Sequence, residues 1–91
     1  PDDTIYMDGG DGNDYLYASH DAEMYGGRGN DTITGGTSVY IDSGDGDDLL
    51  DGDESTIYGG KGNDTITGSY SRLYGGEGDD VLSGIAGMEG G

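Results

Sequence analysis

Cysteine and tryptophan are absent from this 91-residue chain, proline occurs once, and lysine and arginine together number three. Without cysteine there is neither a disulfide framework nor a thiolate metal site, and the redox compartment stays open. The shortage of cations removes nucleic acid as a partner, because no basic patch can meet phosphates. It argues equally against anionic membrane surfaces. No apolar run approaches the ~18 residues that would span a bilayer, so no membrane insertion is expected. No signal peptide is visible, and a start at Pro1 points to a fragment or a processed product. Catalysis finds no support. His20 is the only histidine and has no partners for a Ser-His-Asp or Cys-His set. Gly60-Lys61 is followed by Gly62 and not by Ser or Thr, so it is no phosphate loop. Asp51-x-Asp53-x-Ser55 lacks the glycine and closing Glu of an EF-hand.

Acidic residues and glycine are what the chain has in abundance. Twenty Asp and Glu give a formal net charge of −17, 22 residues are glycine, and only 30% are apolar. High net charge with few apolar residues marks a chain that stays unfolded by itself. A bound polyvalent cation would offset the like-charge repulsion. The length allows one domain at most, expected over 1–91 as a single repeat module.

Internal repetition organises the sequence. Five runs recur: Gly9-Gly10-Asp11-Gly12-Asn13-Asp14, Gly26-Gly27-Arg28-Gly29-Asn30-Asp31, Ser43-Gly44-Asp45-Gly46-Asp47-Asp48, Gly59-Gly60-Lys61-Gly62-Asn63-Asp64 and Gly75-Gly76-Glu77-Gly78-Asp79-Asp80. Their last aspartates are spaced by 17, 17, 16 and 16 residues. Each run is followed by x-U-x with an aliphatic U, namely Leu16, Ile33, Leu50, Ile66 and Leu82. A second apolar position precedes each run at Met7, Met24, Ile41, Ile57 and Leu73. Two apolar positions per period, each between polar or aromatic residues, predict two short strands with one inward side chain apiece. So much glycine, with β-branched residues and tyrosine in the strand candidates, disfavours helices. The expected fold is all-β: a parallel solenoid with two strands and two turns per 16–17-residue coil, stacked at about 4.8 Å around a thin core.

The second and fourth positions of every run are glycine, which points to left-handed or crowded backbone with carbonyls turned inward. These are Gly10 and Gly12, Gly27 and Gly29, Gly44 and Gly46, Gly60 and Gly62, and Gly76 and Gly78. The last position is always aspartate, and the residue before it is Asn or Asp. Stacked coils would line these carboxylates up about one strand spacing apart, which is unfavourable unless cations sit between them. An all-oxygen ligand set without His or Cys suits a hard cation, and flexible sets of about 6–8 oxygens favour calcium over magnesium.

The runs with their x-U-x extensions match G-G-x-G-x-D-x-U-x and so resemble the RTX (repeats-in-toxin, hemolysin-type) nonapeptide, a calcium-binding repeat. The resemblance implies a parallel β-roll with each ion between turns of successive coils. It implies Asp14, Asp31, Asp48, Asp64 and Asp80 as carboxylate ligands, with carbonyls of the adjoining glycine turns completing the shells. Ser43 departs from glycine at the first position. The other edge departs further: Ala18-Ser19-His20-Asp21, Gly35-Gly36-Thr37-Ser38, Gly52-Asp53-Glu54-Ser55 and Gly68-Ser69-Tyr70-Ser71 share no aspartate and no G-x-G-x-D. Calcium is therefore expected along one edge only, in about four inter-turn sites.

The resemblance further implies a bacterial protein secreted in one step while unfolded, with a module that folds on extracellular calcium. Two alternatives accompany this reading. One is a self-assembling element of a filament, surface layer or adhesin, because Asp2-Asp3-Thr4-Ile5 and Met88-Glu89-Gly90-Gly91 look like the tail and start of further runs. The other is the non-catalytic tail of a larger secreted enzyme, with flanking domains. The eight tyrosines read as cross-strand stacking on the sheet faces. Thr32-Ile33-Thr34 and Thr65-Ile66-Thr67 resemble the threonine arrays of ice-binding solenoids, but Tyr15, Tyr17, Leu49 and Asp51 break the array.

Overall fold

A computed structural model describes residues 4–84 and the backbone of Met88 and Glu89. Paired glycines interrupt any helical stretch, and the β-branched and aromatic residues between them favour extended backbone. The described residues form nine strands: β1 (Ile5–Asp8), β2 (Tyr15–Tyr25), β3 (Thr32–Asp42), β4 (Leu49–Asp53), β5 (Thr56–Tyr58), β6 (Thr65–Ser69), β7 (Arg72–Tyr74), β8 (Val81–Gly84) and β9 (Met88–Glu89). Every strand pairing is parallel. Tyr15, Thr32, Leu49, Thr65 and Val81 stand in one register column, so each coil advances by 17 or 16 residues. This is the parallel β-solenoid of about five turns that the repeat predicts.

One sheet contains the first halves of β2 and β3 with β4, β6 and β8. The other contains β1, the second halves of β2 and β3, β5, β7 and β9. The two expected strands per coil are separate only in the 16-residue coils. In β2 and β3 the ladder pairing continues around the edge, through one left-handed residue each at Asp21 and Ser38, so that each is a single 11-residue strand. The reason is a length difference confined to that edge. From the apolar residue before each aspartate run to the one after it, the step is always nine residues, as in Met24 to Ile33 and Ile57 to Ile66. Across the opposite edge it falls from eight, in Leu16 to Met24, to seven, in Leu50 to Ile57. The register irregularity between β3 and β4, at Thr34 to Thr37, absorbs the missing residue. The aspartate column is therefore undisturbed by the change of period.

All ten expected apolar residues face the core. Met24, Ile33, Ile41, Leu50, Ile57, Ile66 and Leu73 are fully buried, and Met7, Leu16 and Leu82 pack against them half-buried. One inward side chain per strand is nevertheless an undercount. Ala18, Ala22 and Val39 are also buried, as are Gly35, Gly52 and Gly68. These small residues line the edge away from the aspartates, where the sheets close together. A Cβ on Gly35 would run into the Val39 side chain, and one on Gly68 would stand 2.9 Å from Leu73 Cδ2.

At the far end, Met88 pairs with Leu73 and Glu89 with Tyr74. Met88-Glu89 thus takes the register of the residues that precede a run. The rest of the expected terminal runs, Asp2-Asp3 and Gly90-Gly91, lies outside the described residues.

Candidate metal centre

Each six-residue run is a turn that carries the chain from one sheet to the other. Gly10, Gly27, Gly44, Gly60 and Gly76 have φ between +80° and +89°, and Gly12, Gly29, Gly46, Gly62 and Gly78 between +105° and +112°. L-residues rarely adopt either conformation. Stacking adds a second constraint. A Cβ at Gly27 or Gly44 would collide with the carbonyl oxygen of the equivalent glycine one coil earlier, and the fourth-position glycines repeat this. The turns are thus packed glycine on carbonyl. Of these ten glycines, only Gly60 has a carbonyl oxygen that accepts a protein hydrogen bond among the described residues, from Glu77 N at 3.0 Å.

Two side-chain ladders of opposite direction join the turns. In one, Oδ1 of Asp31, Asp48, Asp64 and Asp80 accepts the backbone N–H of the aspartate one coil earlier, at 2.9, 2.8, 2.8 and 2.8 Å. In the other, Oδ1 of Asn13, Asn30, Asp47 and Asn63 accepts the N–H of the equivalent residue one coil later, at 2.7–2.8 Å. This second ladder explains why Asn and Asp interchange before the invariant aspartate: either supplies the acceptor. It lies on the exposed side, while Asp31, Asp48 and Asp64 are buried.

The ladder uses one oxygen of each buried carboxylate. Oδ2 of Asp14, Asp31, Asp48 and Asp64 is buried with no hydrogen-bond partner among the described residues. An unpartnered buried carboxylate oxygen is costly, and burial favours the protonated form of these carboxyls. Burial pushes the Asp31 carboxyl up, against the Asp14 N–H it accepts and with the Asp14 charge. Asp48 is raised by burial too, opposed by the Asp31 N–H it accepts. Asp64 is pushed up to about 7, first by burial and then by the charges of Asp48 and Asp80, with the Asp48 N–H opposing. A hard cation beside the free Oδ2 atoms would remove this penalty, and a carbonyl of the next turn lies on the same side of the turn as two of them, Ser43 O with Asp31 Oδ2 and Gly75 O with Asp64 Oδ2. The residues present therefore fit calcium. Among the described residues no three acidic or histidine side chains converge on one point, so carbonyls must supply most of any shell.

The opposite edge is tied together by uncharged hydroxyls, with its charged residues outside the ladder. Asp21, Ser38, Glu54 and Tyr70 take a left-handed backbone there, φ +47° to +59°. Ser55 Oγ accepts from Val39 N at 3.0 Å and donates to Asp53 O at 2.7 Å. Ser71 Oγ accepts from Ser55 N at 2.9 Å and donates to Ser69 O at 2.9 Å. This serine ladder runs in the same sense as the aspartate ladder, but both functions of each hydroxyl are satisfied. Its only trace in the sequence is that Ser55 and Ser71 stand one period apart, each two residues before a core position. His20 is exposed, 3.4 Å from the exposed Asp21 carboxylate.

The tyrosines do stack across strands, and two columns merge into one file. Tyr6, Tyr25, Tyr40, Tyr58 and Tyr74 follow each other at centroid separations of 6.2, 6.1, 5.6 and 4.7 Å on the outer face of the second sheet. Tyr25 donates to Glu23 Oε1 at 3.0 Å, and this bond raises its phenol to about 12.

Comparison with known families agrees with the geometry. The family model described as RTX calcium-binding nonapeptide repeat (4 copies) matches residues 2–22, 19–38, 25–56, 54–70 and 71–87. No curated protein and no solved structure matches the chain. Repeats of this family bind calcium, are typical of secreted bacterial proteins, and build a structural module rather than a catalytic fold.

Proposed function

The chain belongs to the RTX calcium-binding nonapeptide repeat family, and from that membership we propose a non-enzymatic module of a secreted bacterial protein that folds when it meets extracellular calcium. The observation that carries this reading is the row of buried Oδ2 atoms on Asp14, Asp31, Asp48 and Asp64 that no donor among the described residues reaches. Asp14, Asp31, Asp48, Asp64 and Asp80 are the proposed carboxylate ligands. The carbonyls of Gly10, Gly12, Gly27, Gly29, Gly44, Gly46, Gly60, Gly62, Gly76 and Gly78, with their turn neighbours, are the proposed remainder. When bound, calcium supplies positive charge between coils and accepts oxygen ligands without demanding strict geometry.

Charge supports about four ions, one between each pair of successive turns. The five runs carry ten carboxylates against Arg28 and Lys61, a formal −8 that four divalent ions would neutralise. The sites exist only once coils stack, so binding free energy is folding free energy. Extracellular calcium modules bind at about 10⁻⁴–10⁻³ M. At the far lower calcium inside a cell the acidic column repels itself, and the chain is held unfolded for secretion.

Circular dichroism in chelator, followed by calorimetric calcium titration, tests the proposal. The expected result is loss of the β spectrum in chelator and its return with about four ions per chain. A native β spectrum without calcium at neutral pH overturns the folding mechanism, and about twice that ion count overturns the single-edge assignment.

A further inference from the structure

The third run departs from the others at its first position, where Ser43 replaces the glycine found at Gly9, Gly26, Gly59 and Gly75. Those glycines mark a particular point in the turn. A Cβ on Gly26 would stand 2.5 Å from Asp31 Oδ2 and 2.7 Å from Ser43 O of the next turn. A Cβ on Gly59 would stand 2.5 Å from Asp64 Oδ2 and 2.7 Å from Gly75 O. The turn's own free carboxylate oxygen and the next turn's carbonyl thus converge there, two acceptors without a donor. Only a cation or a proton donor can bridge them.

Ser43 brings a proton donor to this junction. It is fully buried, and its hydroxyl donates to Gly59 O at 2.6 Å, spanning from the third turn to the fourth. The third turn also carries Asp45, Asp47 and Asp48, so repulsion would otherwise hold this coil apart from its neighbours. In a quasi-one-dimensional array the first coil–coil interface is the costly one, and later coils add to an existing template.

We propose that the Ser43 hydroxyl is a metal-independent tether between the third and fourth turns, so that this junction orders at lower calcium than the rest of the roll. The inference rests on the calcium-dependent folding proposed above. It makes Ser43 a positioning residue that sets where the array nucleates, not a ligand.

Hydrogen exchange read by mass spectrometry along a buffered calcium titration tests it on the full chain, with Ser43→Ala and Ser43→Gly as variants. In the wild type, residues 43–64 should become protected at lower free calcium than 9–31 and 75–84. Both variants should raise the calcium midpoint of 43–64 about threefold to tenfold, to that of the flanks or above, as expected for one lost hydrogen bond. The calorimetric ion count should not change. Equal midpoints along the wild-type chain, or variants that leave the order of protection unaltered, overturn the tether. A count one lower in both variants also overturns it, because the hydroxyl is then a ligand. A wild-type chain that binds no calcium refutes the parent reading instead. The tether would then be judged from metal-free exchange of the Asp48 and Asp64 amides, which must quicken in Ser43→Ala for it to stand.

Discussion

Asp64 Oδ1 accepts the backbone N–H of Asp48 at 2.8 Å, while Asp64 Oδ2, equally enclosed, meets no donor among the described residues. One carboxylate therefore does two jobs. Half of it stitches consecutive coils, and half is left as an uncompensated buried charge that destabilises the metal-free roll.

Separating those halves gives the first prediction. In Asp64→Asn the amide oxygen can still accept from Asp48 N, but the negative charge is gone. Calcium titration should show weakened binding at the junctions on either side of the fourth turn. The midpoint of calcium-induced folding should rise by about tenfold, the equivalent of ~1.4 kcal/mol. The metal-free chain should be no less ordered than wild type by circular dichroism, since a buried unpaired charge has been removed.

Acidification should substitute in part for calcium. Burial and the facing charges of Asp48 and Asp80 hold Asp64 at about 7 in the fold, against an ordinary value of 3.8. Asp31 and Asp48 are raised in the same direction. The folded chain thus keeps protons that the unfolded chain releases. Stability from this source is fully present below pH 3.8 and is lost as pH rises through about 7. In chelator, the β signal should grow as pH falls from about 8 to about 4. With calcium present, more of the ion should be needed at the acid end, because protons compete for the same oxygens. A metal-free chain that loses order on acidification would contradict the assignment.

Glycine substitution separates conformational strain from collision. Gly10 and Gly44 have nearly equal φ, +82° and +80°, yet a Cβ meets nothing within 4 Å at Gly10 and lies 2.6 Å from Gly27 O at Gly44. Gly10→Ala should cost about 1–2 kcal/mol in calcium-saturated denaturant unfolding, the price of a left-handed L-residue. Gly44→Ala should cost clearly more, because the third coil must also lift off the second.

Along the outer face, Tyr25 should titrate near 12 by absorbance at alkaline pH in the calcium-loaded protein, owing chiefly to its bond with Glu23. Glu23→Gln should bring that value down, since the charged acceptor is lost. Replacing Tyr40 by Leu should break the file between Tyr25 and Tyr58 and cost about 0.5–1.5 kcal/mol per aromatic pair. A phenol unmoved by Glu23→Gln would show that the carboxylate does not hold it.

Much of the site was legible because the repeat is strict where the backbone is constrained. Ten glycines at fixed places announced φ values that only glycine tolerates easily, and the column of five aspartates followed from period alone. The core was read from two apolar positions per coil. What the sequence does not display depends on neighbours rather than on local pattern. Ser55 and Ser71 look like ordinary turn residues until stacking puts each hydroxyl under the N–H of the coil before it. Tyr6 and Tyr40 occupy a different column from Tyr25, Tyr58 and Tyr74, and only the lateral reach of the rings makes one file of them.

By itself, then, the sequence determined the coil: its period, its two strands, its inward residues and the edge on which carboxylates gather. These follow from alternation and from backbone sterics, which are properties of a few consecutive residues. The tertiary structure decided how the two oxygens of each aspartate are used, one taken by an N–H of the preceding coil and one left free, and it decided that Ser43 reaches across to Gly59. Both depend on atoms some 16 residues apart in the chain, brought within hydrogen-bond distance only when one coil lies on the next.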